Sequence, residues 1–230
     1  MSPKPLEAIE IETGPQPAAS VIWMHGLGAD GNDFVPIVHE LDLSGAPDIR
    51  FVFPHAPMQP VTINNGYVMR AWYDVKWGDL EGRSKQADEK GVRSAQAAIG
   101  QLIEREISRG TDAGKIVLAG FSQGGAIALQ TGLRYPQKLA GIMALSTYLP
   151  LAESFAHEAT AENRRTPIFM AHGTDDAVIQ HAIGAQSKEV LVQNGYDVEW
   201  HDYPMAHSVC LEEIRHIGEF LKRVLTRSCA

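Results

Sequence analysis

Cysteine is nearly absent from this chain. There are two, Cys210 and Cys229, in 230 residues. A disulfide framework is therefore not expected, and a cytoplasmic setting is the default. Neither cysteine has a base nearby in sequence, so neither is expected to act as a nucleophile. Long apolar runs are also missing. None approaches the roughly 20 residues that span a bilayer, and Met1 to Glu7 lacks the apolar core of a signal peptide. No integral membrane segment is expected. Positive charge is in short supply too: 20 Lys and Arg face 28 Asp and Glu, a net charge of −8. A phosphate backbone would be repelled, so nucleic acid is not expected as a partner. Repeats, low-complexity segments and linkers are absent, and residues 1–230 are expected to form one domain.

Apolar strands alternating with helical periodicity fill the rest. Strands are expected at 6–12, 21–24, 49–53, 116–119, 139–145, 167–171 and 198–203. Helices are expected at 32–41, with Asn32 or Asp33 as N-cap, and at 88–108, 126–134, 181–193 and 208–225. Such alternation implies an α/β fold with a mostly parallel central sheet and helices on both faces. Sites in such sheets gather beyond the carboxyl ends of the strands. Residues 55–83 and 147–166 show no clear period and read as long loops, which in a compact domain are usually functional or mobile.

Gly120-Phe121-Ser122-Gln123-Gly124 lies between a strand and a helix, the setting in which Gly-x-Ser-x-Gly forms a nucleophile elbow. The turn is strained, and glycines beside the serine relieve crowding and tolerate unusual backbone angles. A serine hydroxyl needs a base, and the base needs an orienting carboxylate. On this architecture the order along the chain is Ser, Asp or Glu, then His. Strand 167–171 runs into His172-Gly173-Thr174-Asp175-Asp176, where either aspartate could serve. Strand 198–203 runs into Pro204-Met205-Ala206-His207, which offers His207 as the base. Of the other histidines, His201 reads as structural, and His25 and His172 read as pins for loop backbones. No metal-ligand spacing is present.

Acyl transfer also needs donors for an oxyanion. One is the backbone N–H of Gln123, directly after the serine. The other is assigned to Leu27, in the loop His25-Gly26-Leu27-Gly28-Ala29-Asp30-Gly31. That loop also satisfies G-x-G-x-x-G, the dinucleotide fingerprint of an oxidoreductase. The fingerprint calls for an acid at the end of the next strand, and Phe53-Pro54-His55 supplies none. A non-catalytic binding module would show a broken triad, and here all three members are present.

Together these residues resemble the phospholipase/carboxylesterase family of α/β-hydrolases, which includes small bacterial carboxylesterases and acyl-protein thioesterases. The match rests on Gly120 to Gly125, the His25 to Gly28 loop, Asn64 to Asp74 ending in Trp72-Tyr73-Asp74, and the His-Gly-x-x-Asp segment from His172 to Asp176. The resemblance selects Asp176 over Asp175. It implies cofactor-free hydrolysis of small carboxylic esters through an acyl-serine, with acyl thioesters or lysophospholipids as alternative substrates. Some members form homodimers, which leaves that assembly open here. Trp72 and Val178 are expected to line the acyl pocket. Two positions depart from the family pattern: Val178-Ile179-Gln180 stands where Val-Val-Pro is frequent, and Ala206 where glycine often precedes the histidine.

Overall fold

The computed structural model describes residues 6–76, 78 and 88–226. The expectations for Cys229 and for part of the 55–83 stretch lie outside them. In chain order the elements are β1 (Ala8–Glu12), β2 (Ala19–Met24), α1 (Ile37–Glu40), β3 (Ile49–Pro54), β4 (Met58–Val61), β5 (Tyr67–Arg70), α2 (Glu89–Ser108), β6 (Ile116–Phe121), α3 (Gln123–Gly132), β7 (Gly141–Leu145), α4 (Ala152–Glu158), β8 (Ile168–Gly173), α5 (His181–Gln193), β9 (Val198–Tyr203) and α6 (Leu211–Thr226).

Seven strands form one sheet in the order β1-β3-β2-β6-β7-β8-β9. Only β1 runs antiparallel, against β3; the other pairs are parallel. The central strands are buried on both faces, as their unbroken apolar runs require. Successive side chains alternate between two cores. Ile22, Met24 and Leu118 face Ile99 and Leu102 of α2 and Ile127 of α3. Val21, Trp23 and Val117 face Ile37 of α1 and Ile217, Phe220 and Leu221 of α6. The helices therefore close both sides and leave the strand ends open, where the loops after β2, β6, β8 and β9 emerge.

Three expectations change. The helix expected over 32–41 shrinks to the single turn of α1, and Pro36, not Asn32 or Asp33, precedes it. Upstream the backbone makes three-residue steps such as Asp33 N–H to Asp30 O and Val35 N–H to Asn32 O. Pro36 has no N–H with which to extend a helical ladder across these turns. The stretch 55–83 contains the hairpin β4–β5, whose register pairs Met58 with Arg70 and Val61 with Tyr67. The stretch 147–166 contains α4. Short elements with mixed faces carry too little periodicity to be read from sequence.

Candidate active site

Ser122 sits between β6 and α3 with φ 55° and ψ −120°. A non-glycine residue with positive φ stores about 1–3 kcal/mol of strain, and the surroundings must hold it. They do so at both ends of the residue. The Ser122 N–H donates to Leu145 O at 2.8 Å, and its carbonyl accepts from Ala126 N–H at 3.1 Å and from Thr147 Oγ1 at 2.7 Å. The flanking glycines serve close approach rather than unusual angles. A Cβ on Gly120 would stand 2.2 Å from Gly124 C, and one on Gly124 would stand 2.3 Å from Met24 O. The strain thus resides on the serine itself.

The β8 and β9 loops bring Asp176 and His207 together. Thr174 N–H donates to Tyr203 O at 2.9 Å and Asp175 N–H to Met205 O at 3.1 Å, so the two loops are laced along their backbones. His207 Nδ1 lies 2.6 Å from Asp176 Oδ2. A carboxylate accepts, so Nδ1 carries the proton and Nε2 is left with its lone pair. The other oxygen, Asp176 Oδ1, accepts from the N–H groups of Val178 and Ile179, both at 2.9 Å. The Asp176 side chain is fully buried and that of His207 partly so. Asp175, its neighbour, is exposed, and among the described residues its side chain makes only a 3.5 Å contact with Thr174 Oγ1. The loops therefore bring Asp176, and not Asp175, against His207.

The imidazole of His207 packs on Phe121, the residue before Ser122, with ring centroids 4.7 Å apart. Among the described residues the Ser122 hydroxyl makes no hydrogen bond to His207. Such bonds are often long without substrate and tighten on binding. Gly26, at the start of the β2 loop, lies so near the elbow that a Cβ there would stand 3.5 Å from Ser122 Cβ. Neither the Leu27 nor the Gln123 backbone N–H donates to an acceptor among the described residues. Gln123 opens α3, where the first N–H groups have no partner within the helix. The N–H of Gln123, next to the serine, and that of Leu27, one residue past Gly26, are thus both unspent.

The histidines read as pins do pin. His25 Nδ1–H donates to Gly26 O at 2.7 Å while Nε2 accepts from Ala56 N–H at 3.1 Å. Both bonds need a neutral ring, and burial pushes its pKa down to about 4. His172 Nε2–H donates to Ile179 O at 2.8 Å and lies 3.4 Å from Asp176 Oδ2, which closes the turn that holds Asp176. Burial also lowers its pKa. A second His–Asp pair, His181 with Asp202 at 2.5 Å, escaped the sequence reading. Trp200 Nε1–H occupies the same Asp202 oxygen at 2.9 Å, and the pair lies on the outer surface.

Trp72 is 3% exposed and donates its indole N–H to His25 O at 2.9 Å, which leaves little of its surface for an acyl chain. Val178 is 49% exposed, directly beside Asp176. The two departures from the family pattern fit this backbone. Gln180 has φ −55°, the value proline would impose, and Ala206 is exposed with no positive φ.

The dinucleotide reading fails on the loop after β2. Pyrophosphate binding needs a helix that opens at the glycines. Here the glycines lead into turns, and Gly31 instead serves contact with β3: its N–H donates to His55 Nδ1 at 3.0 Å, and a Cβ on it would stand 2.5 Å from Phe53 O. No group of three His, Cys, Asp or Glu side chains that could hold a metal ion occurs among the described residues.

Residues 6–225 match the profile of the phospholipase/carboxylesterase family. The chain belongs to that family. Acyl-protein thioesterase 1 of Neurospora crassa is 42% identical over 215 residues, covering 91% of this chain and 88% of that protein. Carboxylesterase SOBER1 of Arabidopsis thaliana is 35% identical over 209 residues, covering 90% and 91%. The crystal structure of SOBER1 superposes with a TM-score of 0.83 at 34% identity, covering 90% of this chain and 99% of that one. Acyl-protein thioesterase 2 of Zea mays superposes with a TM-score of 0.82 at 26% identity, covering 95% and 99%. This family member has the α/β-hydrolase fold and is a carboxylic ester hydrolase of the serine type. Among its described residues no helix is long and apolar enough to cross a membrane.

Proposed function

We propose that Ser122, His207 and Asp176 are the catalytic triad and that the Leu27 and Gln123 backbone N–H groups form the oxyanion hole. The observation that carries this reading is the Asp176 carboxylate. It is fully buried, one oxygen is held by two backbone amides, and the other lies 2.6 Å from His207 Nδ1. That bond fixes the tautomer whose Nε2 can accept a proton.

In the mechanism Ser122 Oγ attacks the carbonyl carbon as its proton passes to His207 Nε2. Charge builds on the carbonyl oxygen and is met by the two donors. Asp176 stabilises the imidazolium without taking its proton. Collapse expels the leaving group, which takes the proton from Nε2. Water, deprotonated by the same nitrogen, then releases the acid and frees the serine. No step calls for a metal or an organic cofactor.

Esters and thioesters share this chemistry, because the tetrahedral carbon and the oxyanion are the same in both. The relatives named acyl-protein thioesterases favour an acyl thioester substrate, with small carboxylic esters turned over by the same centre. Val178, exposed beside Asp176, is proposed to form part of the acyl pocket. A cytoplasmic setting is proposed with this reading and agrees with the free thiol of Cys210. The test is a hydrolysis panel of aryl esters of increasing chain length, an acyl thioester and a lysophospholipid, run with the parent and Ser122→Ala. All turnover should vanish in the variant while its thermal transition is kept. Turnover retained by a folded Ser122→Ala protein would refute the nucleophile.

A further inference from the structure

We propose that the Gln123 carboxamide and the Trp72 indole are positioning residues that fix the spacing between the two oxyanion donors. This rests on the oxyanion reading above.

The donors come from different loops. Gln123 belongs to the elbow after β6, and Leu27 to the loop after β2. An oxyanion must find both N–H groups at about 2.7–3.1 Å. A shift of one loop against the other by a fraction of an ångström would spoil one of the two bonds. Near Ser122 the two segments meet by close packing, Gly26 beside Phe121 and Ser122 and Gly124 against Met24 O and His25 O. Beyond the β2–β6 ladder, which ends at Met24 and Gly120, a hydrogen-bonded link between them runs through a third segment. Gln123 Oε1 accepts from Trp72 N–H at 2.8 Å, and Gln123 Nε2–H donates to Tyr73 O at 2.8 Å. Trp72 Nε1–H then donates to His25 O at 2.9 Å, two residues before Leu27.

The chemistry of the link is particular. A carboxamide carries a donor and an acceptor, so it can grip the Trp72 N–H and the Tyr73 carbonyl together. A carboxylate could not donate to Tyr73 O, and a thioether could not donate and would accept only weakly. The residue gripped in this way is the one whose own backbone N–H is one of the two donors. Gln123 and Trp72 are each 3% exposed and His25 is 1% exposed, so water cannot replace these bonds. None of the three bonds involves the Ser122 hydroxyl, His207 or Asp176. Loosening the link should therefore weaken oxyanion binding and leave the nucleophile and base in place.

Trp72→Phe deletes the indole N–H and keeps an aromatic ring, though a smaller one; Gln123→Met keeps length, deletes the bond to Tyr73 O and leaves only a weak sulfur acceptor for the Trp72 N–H. Each is compared with the parent for kcat per site titrated by a fluorophosphonate, for KM on a p-nitrophenyl ester, and for inhibition by a trifluoromethyl ketone, whose serine adduct carries an oxyanion. Loss of a whole donor costs about 100- to 1,000-fold, so displacement should lower kcat per titrated site about 10- to 100-fold. KM should stay within about threefold, and the ketone should weaken by the same factor as kcat/KM. A folded variant whose kcat per titrated site is within about twofold of the parent would overturn the proposal. So would a fall in kcat without weaker ketone binding. Failure of both variants to fold would overturn it too, by showing that the bonds serve the fold. Should the fluorophosphonate in the parent map to a residue other than Ser122, the triad reading itself would fail, a result separate from these.

Discussion

Gly173 lies beneath Met205 so closely that a Cβ on Gly173 would stand 2.3 Å from the Met205 carbonyl oxygen. Ala206 O would be 2.5 Å away. This approach lets the loop after β9 cross the end of β8 and deliver His207 to Asp176. Gly173→Ala should push that loop outward. A misplacement of about 1 Å in a catalytic group can cost about 100-fold, so kcat/KM should fall by about that factor. Ester hydrolysis beside a thermal melt checks it. An enzyme with unchanged activity would show that the crossing can relax without moving His207.

The two neighbouring aspartates should behave very differently. Asp176→Asn leaves a side chain that can present N–H to His207 Nδ1 and favour the wrong tautomer; kcat should fall by about 1,000- to 10,000-fold. Asp175→Asn, at an exposed position, should stay within about threefold of the parent. Steady-state kinetics on one aryl ester decides it, and the reverse order would exchange their roles.

Glu213, in the first turn of α6, is fully buried, and neither carboxyl oxygen makes a hydrogen bond of good geometry among the described residues. Burial pushes its pKa up to about 8, offset only in part by the Cys210 backbone N–H. The folded protein thus keeps a proton that the unfolded chain gives up above about pH 4.5. Its contribution to stability is fully present below pH 4.5 and is lost as pH rises toward 8. Glu213→Gln, which mimics the protonated acid, should raise the melting temperature, with a gain larger at pH 8 than at pH 5. A gain independent of pH would contradict this.

His25 makes the opposite contribution. Its pKa is held near 4, so between pH 6.5 and 4 the unfolded chain takes up a proton that the folded state refuses. Stability attributable to this ring is intact above pH 6.5 and falls by about 3 kcal/mol by pH 4. In His25→Asn the loss of unfolding free energy across that interval, read from urea titrations, should be smaller than in the parent. An equal loss would show that the ring is not the group being titrated.

Much of this was legible in the sequence because the signals were local or chain-ordered. β9 and α5 appear with the expected bounds, since stop signals mark their ends: Asn194-Gly195 follows α5 and Pro204 follows β9. The elbow is readable because a strand, a turn and a helix meet at Ser122 within a dozen residues. The link among Gln123, Trp72 and His25 was not readable. Gln123 and Trp72 are 51 residues apart, and a glutamine side chain in a helix gives no periodic signal of what it grips. A tryptophan buries a large area in any setting, so the residue type of Trp72 alone does not separate a pocket wall from a core position. Only the fold shows that its N–H is committed to His25 O. The reason for the elbow glycines changed in the same way: closeness to Gly124 and Met24 depends on how the sheet neighbours pack, which a turn motif does not state.

Ser122, activated by His207, is the proposed nucleophile on which every step of the hydrolysis depends. The most direct measurement is fluorophosphonate labelling followed by peptide mass mapping, in the parent and in His207→Ala. The parent should carry a single adduct on the Ser122 hydroxyl, and in His207→Ala its rate of formation should fall by about 1,000-fold or more. An adduct on another residue, or labelling as fast without the imidazole, would contradict it.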